Sequence, residues 1–419
     1  MKEYDGETPL KENIYYFIKW TFIASAIGME VGMVGAVFGH SVAWATRLWS
    51  SNHWTLFLMP VAGLIIVFCY RFAKEEKNKG TDMILASISA SEEVTPATGL
   101  LIFIGTFLSH CVSASAGREG AALQIGGSIG NVIAQILRLD ERDKKVAIMC
   151  GMSACFAALF GTPLTAGIFS LEVVSIGVMY YAALVPCLFS SFIGAGIAKS
   201  MGVKPDHFHV GEIPEFTFEG AAVAILIAIL SACVGILMCF ILHKSHHMYK
   251  KYFPNPYVRV AAGSAIFIVL TLIFSSRYYN GSGMQLIEMC FHGQKVPYYA
   301  FLMKIVFTAV ALGAGFKGGE IVPALCVGAA FGYVMAAVTG MPVGICSAMG
   351  MMSLFVSVTN CPVSTMFLAF ELCGFEGMPY YVFAIAVSFT LSGYYGLYHS
   401  QKFVYSKIKT EFINRKSNE

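Results

Sequence analysis

Charge is what this 419-residue chain has least of: Asp, Glu, Lys and Arg make up 13% of it, about half the share usual in soluble domains. That shortage excludes a water-covered globule. With 57% hydrophobic residues, the composition leaves a chain that crosses a membrane several times. The opening MKEYDGETPLKEN lacks the basic start, short apolar core and small-residue cleavage site of a secretory signal, so the first helix is expected to be retained. No strand-like alternation supports a β-barrel. The twelve cysteines lie mostly in apolar segments without paired metal spacing and read as small buried hydrophobes. Neither a metal nor a cofactor is expected, and His243, His246 and His247 read as part of a lysine-rich polar turn rather than as ligands.

What is present in quantity is long apolar sequence. Phe17 to Val42, Leu56 to Phe72, Ala221 to Leu242, Val258 to Phe274 and Tyr380 to Leu397 are each long enough to cross roughly 30 Å of hydrocarbon. The predicted class is therefore an all-α polytopic membrane protein. Basic residues gather in short runs, Arg71 to Lys79, Arg138 to Lys145, Lys244 to Lys251 and Lys402 to Lys416, which read as polar caps at the membrane face. A nucleic-acid patch is the rival reading of such runs, and membrane anchoring already accounts for them. Glycine is frequent, at 41 residues, and falls inside apolar segments. Gly28, Gly32, Gly35 and Gly39 recur at three- and four-residue spacing, the pattern of helices that pack closely in lipid.

One stretch stands out, Gly117-Arg118-Glu119-Gly120-Ala121 running on to Gly126 and Gly130. It places a charge pair at membrane depth, where charge is costly and usually functional. The stretch has a counterpart. Gly117-Arg118-Glu119 through Gly126 and Gly130 is echoed by Gly319-Glu320-Ile321 through Gly328 and Gly332. Gly80-Thr81-Asp82-Met83 is echoed by Gly281-Ser282-Gly283-Met284, and Thr162-Pro163 through Glu172 by Cys361-Pro362 through Glu371. Three matches in the same order predict two structural repeats, residues 14–199 and 218–398. These are flanked by a polar start (1–13), a connector (200–217) and a tail (399–419). Glycine-interrupted segments at corresponding places in two halves point to a transporter's midplane site. Broken helices leave N-terminal amides unpaired, and several aimed at one point hold an anion without a full positive charge.

These residues resemble the CLC family of anion channels and anion/proton exchangers. Gly117-Arg118-Glu119-Gly120 is similar to that family's gating motif, in which a proline usually follows. Gly319-Glu320-Ile321-Val322-Pro323 sits where its second motif belongs, Gly80-Thr81-Asp82-Met83 where most members carry an anion-coordinating serine, and Tyr398 at its anion-binding tyrosine. The departures cluster. Ala121 replaces the proline, Thr81 the serine, Ile321 a phenylalanine, and Glu320 is extra, which together resemble the fluoride/proton antiporter branch. Val173 stands where chloride/proton exchangers carry an inner proton-relaying glutamate.

The resemblance implies a CLC-type fold of two inverted repeats with broken, tilted and re-entrant helices. It implies a homodimer in the inner (plasma) membrane with one ion pathway per subunit, and no cytosolic nucleotide-binding pair after the tail. Glu119 is the expected gate and proton carrier, with Glu320 a second proton-transfer candidate. Thr81, Gly120, Ile321 and Tyr398 are the expected anion ligands, with Gly117 and Arg118 structural beside the gate. The transported partners would be fluoride and protons, and a chloride channel or chloride/proton exchanger is the alternative. An enzyme is not expected, because the paired breaks bracket a shared centre rather than a nucleophile with its base.

Overall fold

The computed structural model describes residues 9–76, 78–90, 94–275 and 277–418; most of the polar start therefore lies outside the described residues. The first half runs α1 (Pro9–Ser51), α2 (Met59–Phe72), α3 (Thr81–Ser89), α4 (Pro96–Cys111), α5 (Glu119–Ile136), α6 (Glu141–Phe160), α7 (Pro163–Glu172) and α8 (Leu184–Ser200). The second half runs α9 (Phe218–Tyr252), α10 (Pro256–Phe274), α11 (Met284–Phe291), α12 (Ala300–Ala314), α13 (Ile321–Thr339), α14 (Val343–Thr359), α15 (Pro362–Cys373) and α16 (Met378–Leu391). Long, short and medium helices follow in the same order in both halves.

Helix length sorts these elements. The 43 residues of α1 make about 64 Å of helix at 1.5 Å per residue, twice a hydrocarbon core, so α1 must tilt or protrude. The nine residues of α3 and eight of α11 make only about 12–14 Å and cannot cross. Six helical stretches have the length and hydropathy of spans among the described residues. The apolar window from Tyr380 to Leu397 overshoots its helix. α16 stops at Leu391, and Gly393, at φ +58°, turns the chain into an irregular segment that carries Tyr398.

Glycines set the tightest contacts. A Cβ on Gly28 would lie 2.8 Å from the Ser190 carbonyl oxygen, and one on Gly32 2.9 Å from Gly194 Cα, so α1 lies backbone-close along α8. The same device joins α5 to α6 and α13 to α14. A Cβ on Gly126 would meet the Gly151 oxygen at 2.0 Å, and one on Gly332 the Cys346 oxygen at 2.1 Å. Such approach maximises dispersion contact where lipid tails offer no hydrophobic drive between helices.

The halves are also stapled reciprocally. Glu172, ending α7, accepts from the Val363 and Ser364 amides (3.1 and 2.8 Å) at the start of α15. Glu371, near the end of α15, accepts from the Leu164 and Thr165 amides (3.0 and 2.9 Å) at the start of α7. Each glutamate thus satisfies the orphan N–H groups of the other repeat's helix. The tail is more than a polar cap. β2 (Lys402–Tyr405) pairs in parallel with β1 (Ser175–Ile176) and antiparallel with β3 (Phe412–Lys416), folding the chain end back onto the helices.

Candidate anion and proton site

The two glycine breaks meet. The Gly117 amide donates to the Gly319 carbonyl at 2.7 Å and the Gly319 amide to the Gly117 carbonyl at 2.8 Å, an isolated antiparallel bridge joining residues 202 apart in sequence. A side chain at Gly319 would strike the Gly120 amide nitrogen at 2.4 Å, so close approach requires glycine there. From this bridge α5 and α13 start, and their first turns carry amides with no partner earlier in the helix.

Glu119 opens α5 and is 1% exposed. Its Oε2 accepts from the Arg118 amide at 2.9 Å and its Oε1 from Arg118 Nε at 3.2 Å. Arg118 reaches onward, donating through Nη2 to Asp206 Oδ2 at 3.0 Å and to the Leu159 carbonyl at 3.3 Å. Asp206 belongs to the connector. Burial holds its carboxyl above the ordinary aspartate value, while the guanidinium pulls it back. One cation is therefore shared between the Glu119 carboxylate and a connector carboxylate, an arrangement the sequence did not announce because residues 118 and 206 are far apart in the chain.

Thr81, 6% exposed at the start of α3, donates to the Gly120 carbonyl at 3.3 Å. Gln124 Nε2 bridges Thr81 Oγ1 (3.3 Å) and the same carbonyl (3.2 Å). Gln124 escaped the sequence reading; its signal was a polar amide in the apolar run from Ala121 to Ile125. Tyr398 is 2% exposed, and its hydroxyl has no hydrogen-bond partner among the described residues. It stands within electrostatic reach of Glu320, Asp82 and Glu119. A buried O–H costs free energy when unmatched, so this one is available to a bound acceptor.

The irregular segment holding Tyr398 is anchored on both sides. Asp82 Oδ1 accepts from the Ser400 amide (2.9 Å) and hydroxyl (2.7 Å), and His243 Nε2 contacts the Leu397 carbonyl at 3.2 Å. Ile321 is fully buried at the start of α13, and Glu320, just before it, lines a cavity of about 890 Å³ together with Gly80, Asp82 and Gln124. Behind the bridge, the fully buried Lys304 donates to Ser115 Oγ (2.9 Å) and to the Tyr279 and Gly281 carbonyls (3.1 and 2.7 Å). Its signal was a lone charge in the apolar run from Phe301 to Leu312, and it ties the approach to Gly117 to α12.

Gly126-Gly127-Ser128-Ile129-Gly130 spells the Gly-x-Ser-x-Gly pattern of hydrolases. Its serine stands outside the structural setting of that pattern. Ser128 lies inside α5, donating to the Thr95 carbonyl at 3.2 Å and accepting from the Gly99 amide at 3.3 Å, and not on a strand-to-helix elbow.

A voltage-gated chloride channel family model matches residues 61–393. The chain belongs to the CLC family. It is 32% identical over 399 residues to a chloride/fluoride channel protein of Pseudomonas syringae pv. tomato, covering 94% of this chain and 88% of that relative. The crystal structure of a CLC-type fluoride/proton antiporter superposes with a TM-score of 0.89 at 28% identity, covering 94% of this chain and 99% of the other. A slow cyanobacterial Cl⁻/H⁺ antiporter shares the fold, with a TM-score of 0.79 at 18% identity, covering 89% of this chain and 94% of the other. This CLC protein is thus an anion/proton transporter or channel of the membrane, with the CLC-type fold expected from its motifs.

Proposed function

We propose that this CLC protein is a fluoride/proton antiporter that exports fluoride across the inner membrane. The observation that supports the reading is the Gly117–Gly319 bridge, because it joins the chain just ahead of α5 and α13, where Glu119 and Glu320 stand. Ionised Glu119 is itself an anion and competes with the halide for the helix-start amides of Gly120 and Ile321. Protonation removes that attraction and releases the side chain, so proton and anion movements become linked. Fluoride is small and strongly hydrated, so its water must be replaced by short-range donors, which the Tyr398 hydroxyl and these amides supply, joined by the Thr81 hydroxyl when it turns from the Gly120 carbonyl to the ion. Glu320, protonated, is a donor to the ion and a relay for the proton. The fluoride assignment is supported by the likeness to a solved fluoride/proton antiporter and by the departures at Thr81, Ala121, Val173 and Glu320.

The test is fluoride efflux from proteoliposomes with simultaneous pH recording. Wild type is expected to move protons against fluoride and to move chloride far more slowly. Glu119→Gln is expected to abolish coupled exchange, and Glu320→Gln to keep fluoride binding while losing proton movement. Equal chloride and fluoride fluxes would overturn the selectivity, and fluoride flux without proton movement would make the protein a channel, as the name of the Pseudomonas relative has it.

A further inference from the structure

The cavity that Glu320 lines carries a second feature that transport of a monatomic ion does not use. On α9, His243, His246 and Lys250 fall three and four residues apart and so share one face, and all three line the cavity. Arg259, in the first turns of α10, lines it as well. Lys317, between α12 and α13, lines it too, with Nζ 4.1 Å above the Tyr70 ring. His246, Lys250, Arg259 and Lys317 lie within electrostatic reach of one another. No ion pair to any of the four occurs among the described residues, nor does any of their side chains make a hydrogen bond there. The acids lining the same cavity engage other groups or lie on other elements: Glu76 pairs with Arg71 at 3.3 Å, Asp82 holds Ser400, and Glu320 precedes α13.

Basic groups brought together from three elements with no acid among them repel one another, and a bound anion is what offsets such repulsion. The ligand's size follows from the geometry. A cavity of about 890 Å³ framed by long flexible stems cannot strip and replace the water shell of a monatomic ion. It can span several charged oxygens at once, and Lys ammonium and Arg guanidinium are the donors that phosphate groups take. The start of α10, at Pro254 and Pro256, also faces the cavity and adds its helix dipole. We propose that His246, Lys250, Arg259 and Lys317 form a binding site for a polyvalent phosphate-bearing anion, which plugs the wide end of the ion pathway. Two sources share that chemistry, a free anion such as pyrophosphate and an anionic phospholipid headgroup.

The test uses the purified full-length chain and two probes, inorganic pyrophosphate by titration calorimetry and vesicles with or without phosphatidylglycerol by co-sedimentation. Saturable binding to either probe is expected, weakening steeply with added salt and at least tenfold in Lys250→Gln/Arg259→Gln. Lys250→Arg, which keeps the charge, is expected to retain it, and monodisperse elution of each variant shows that it is folded. Pyrophosphate binding identifies the free anion and phosphatidylglycerol-dependent binding identifies the lipid. Fluoride efflux should slow when the binding probe is present on the cavity side, in wild type and not in the double variant. Absence of saturable binding to both probes, or equal binding by the double variant, overturns the proposal. The binding arm stands whether the transported ion proves to be fluoride or chloride, so a failure here is distinct from a failure of the transport reading.

Discussion

At the scale of single residues, the donors are the quantity to test. Tyr398 offers a hydroxyl that nothing among the described residues satisfies, and a hydrogen bond to a charged partner contributes about 1.5–3 kcal/mol. Tyr398→Phe is therefore expected to weaken fluoride binding by roughly one to two orders of magnitude, read by isothermal titration with fluoride, while the helix content seen by circular dichroism stays unchanged. Asp206 sets a pH dependence. Its buried carboxyl titrates above the ordinary aspartate range, so as pH falls it protonates early and frees Arg118 to hold Glu119 alone. Fluoride exchange should slow on that acid limb. Asp206→Asn should be slow already at neutral pH and lack the step, with its flux–pH curve meeting that of wild type at low pH. Glu119, Glu320 and Thr81 were legible in the sequence because each interrupts apolar surroundings or a glycine pattern. The partners of Asp206 and Lys304 were not, because those contacts cross 88 residues in one case and 189 in the other.

At the scale of helices, glycine spacing foretold the close pairings, since small residues one turn apart have few other uses in lipid. Gly126→Ala forces a methyl 2.0 Å from a backbone oxygen, and overpacking of this kind costs about 1–3 kcal/mol. A lowered thermal midpoint in detergent is expected, against Gly196→Ala in α8, where an added Cβ meets nothing within 4 Å and stability should hold or rise. Helix ends were less legible. Hydropathy carried the last apolar window on to Leu397, although the helix stops at Leu391, because an averaged scale does not register a left-handed glycine. The chain must leave the helix there if Tyr398 is to reach the site. The tail strands were equally silent, since KFVY and FINRK show too few alternations to mark a strand before the sheet exists.

At the scale of the molecule, the family was legible from three short motifs, while the repeat boundaries and the assembly remain proposals. The homodimer expected of the resemblance should appear as a detergent-corrected mass of about twice 45.4 kDa by light scattering, and a monomer mass would refute it. The stapling between repeats has a mechanical consequence. Glutamates crossing both ways between α7 and α15, together with the amide pair at Gly117 and Gly319, would have to break for the two halves to rock against each other. Opening to alternate sides of the membrane must then be done by a few side chains moving inside a stationary frame, and turnover in this transporter becomes a question of rotamers rather than of domains.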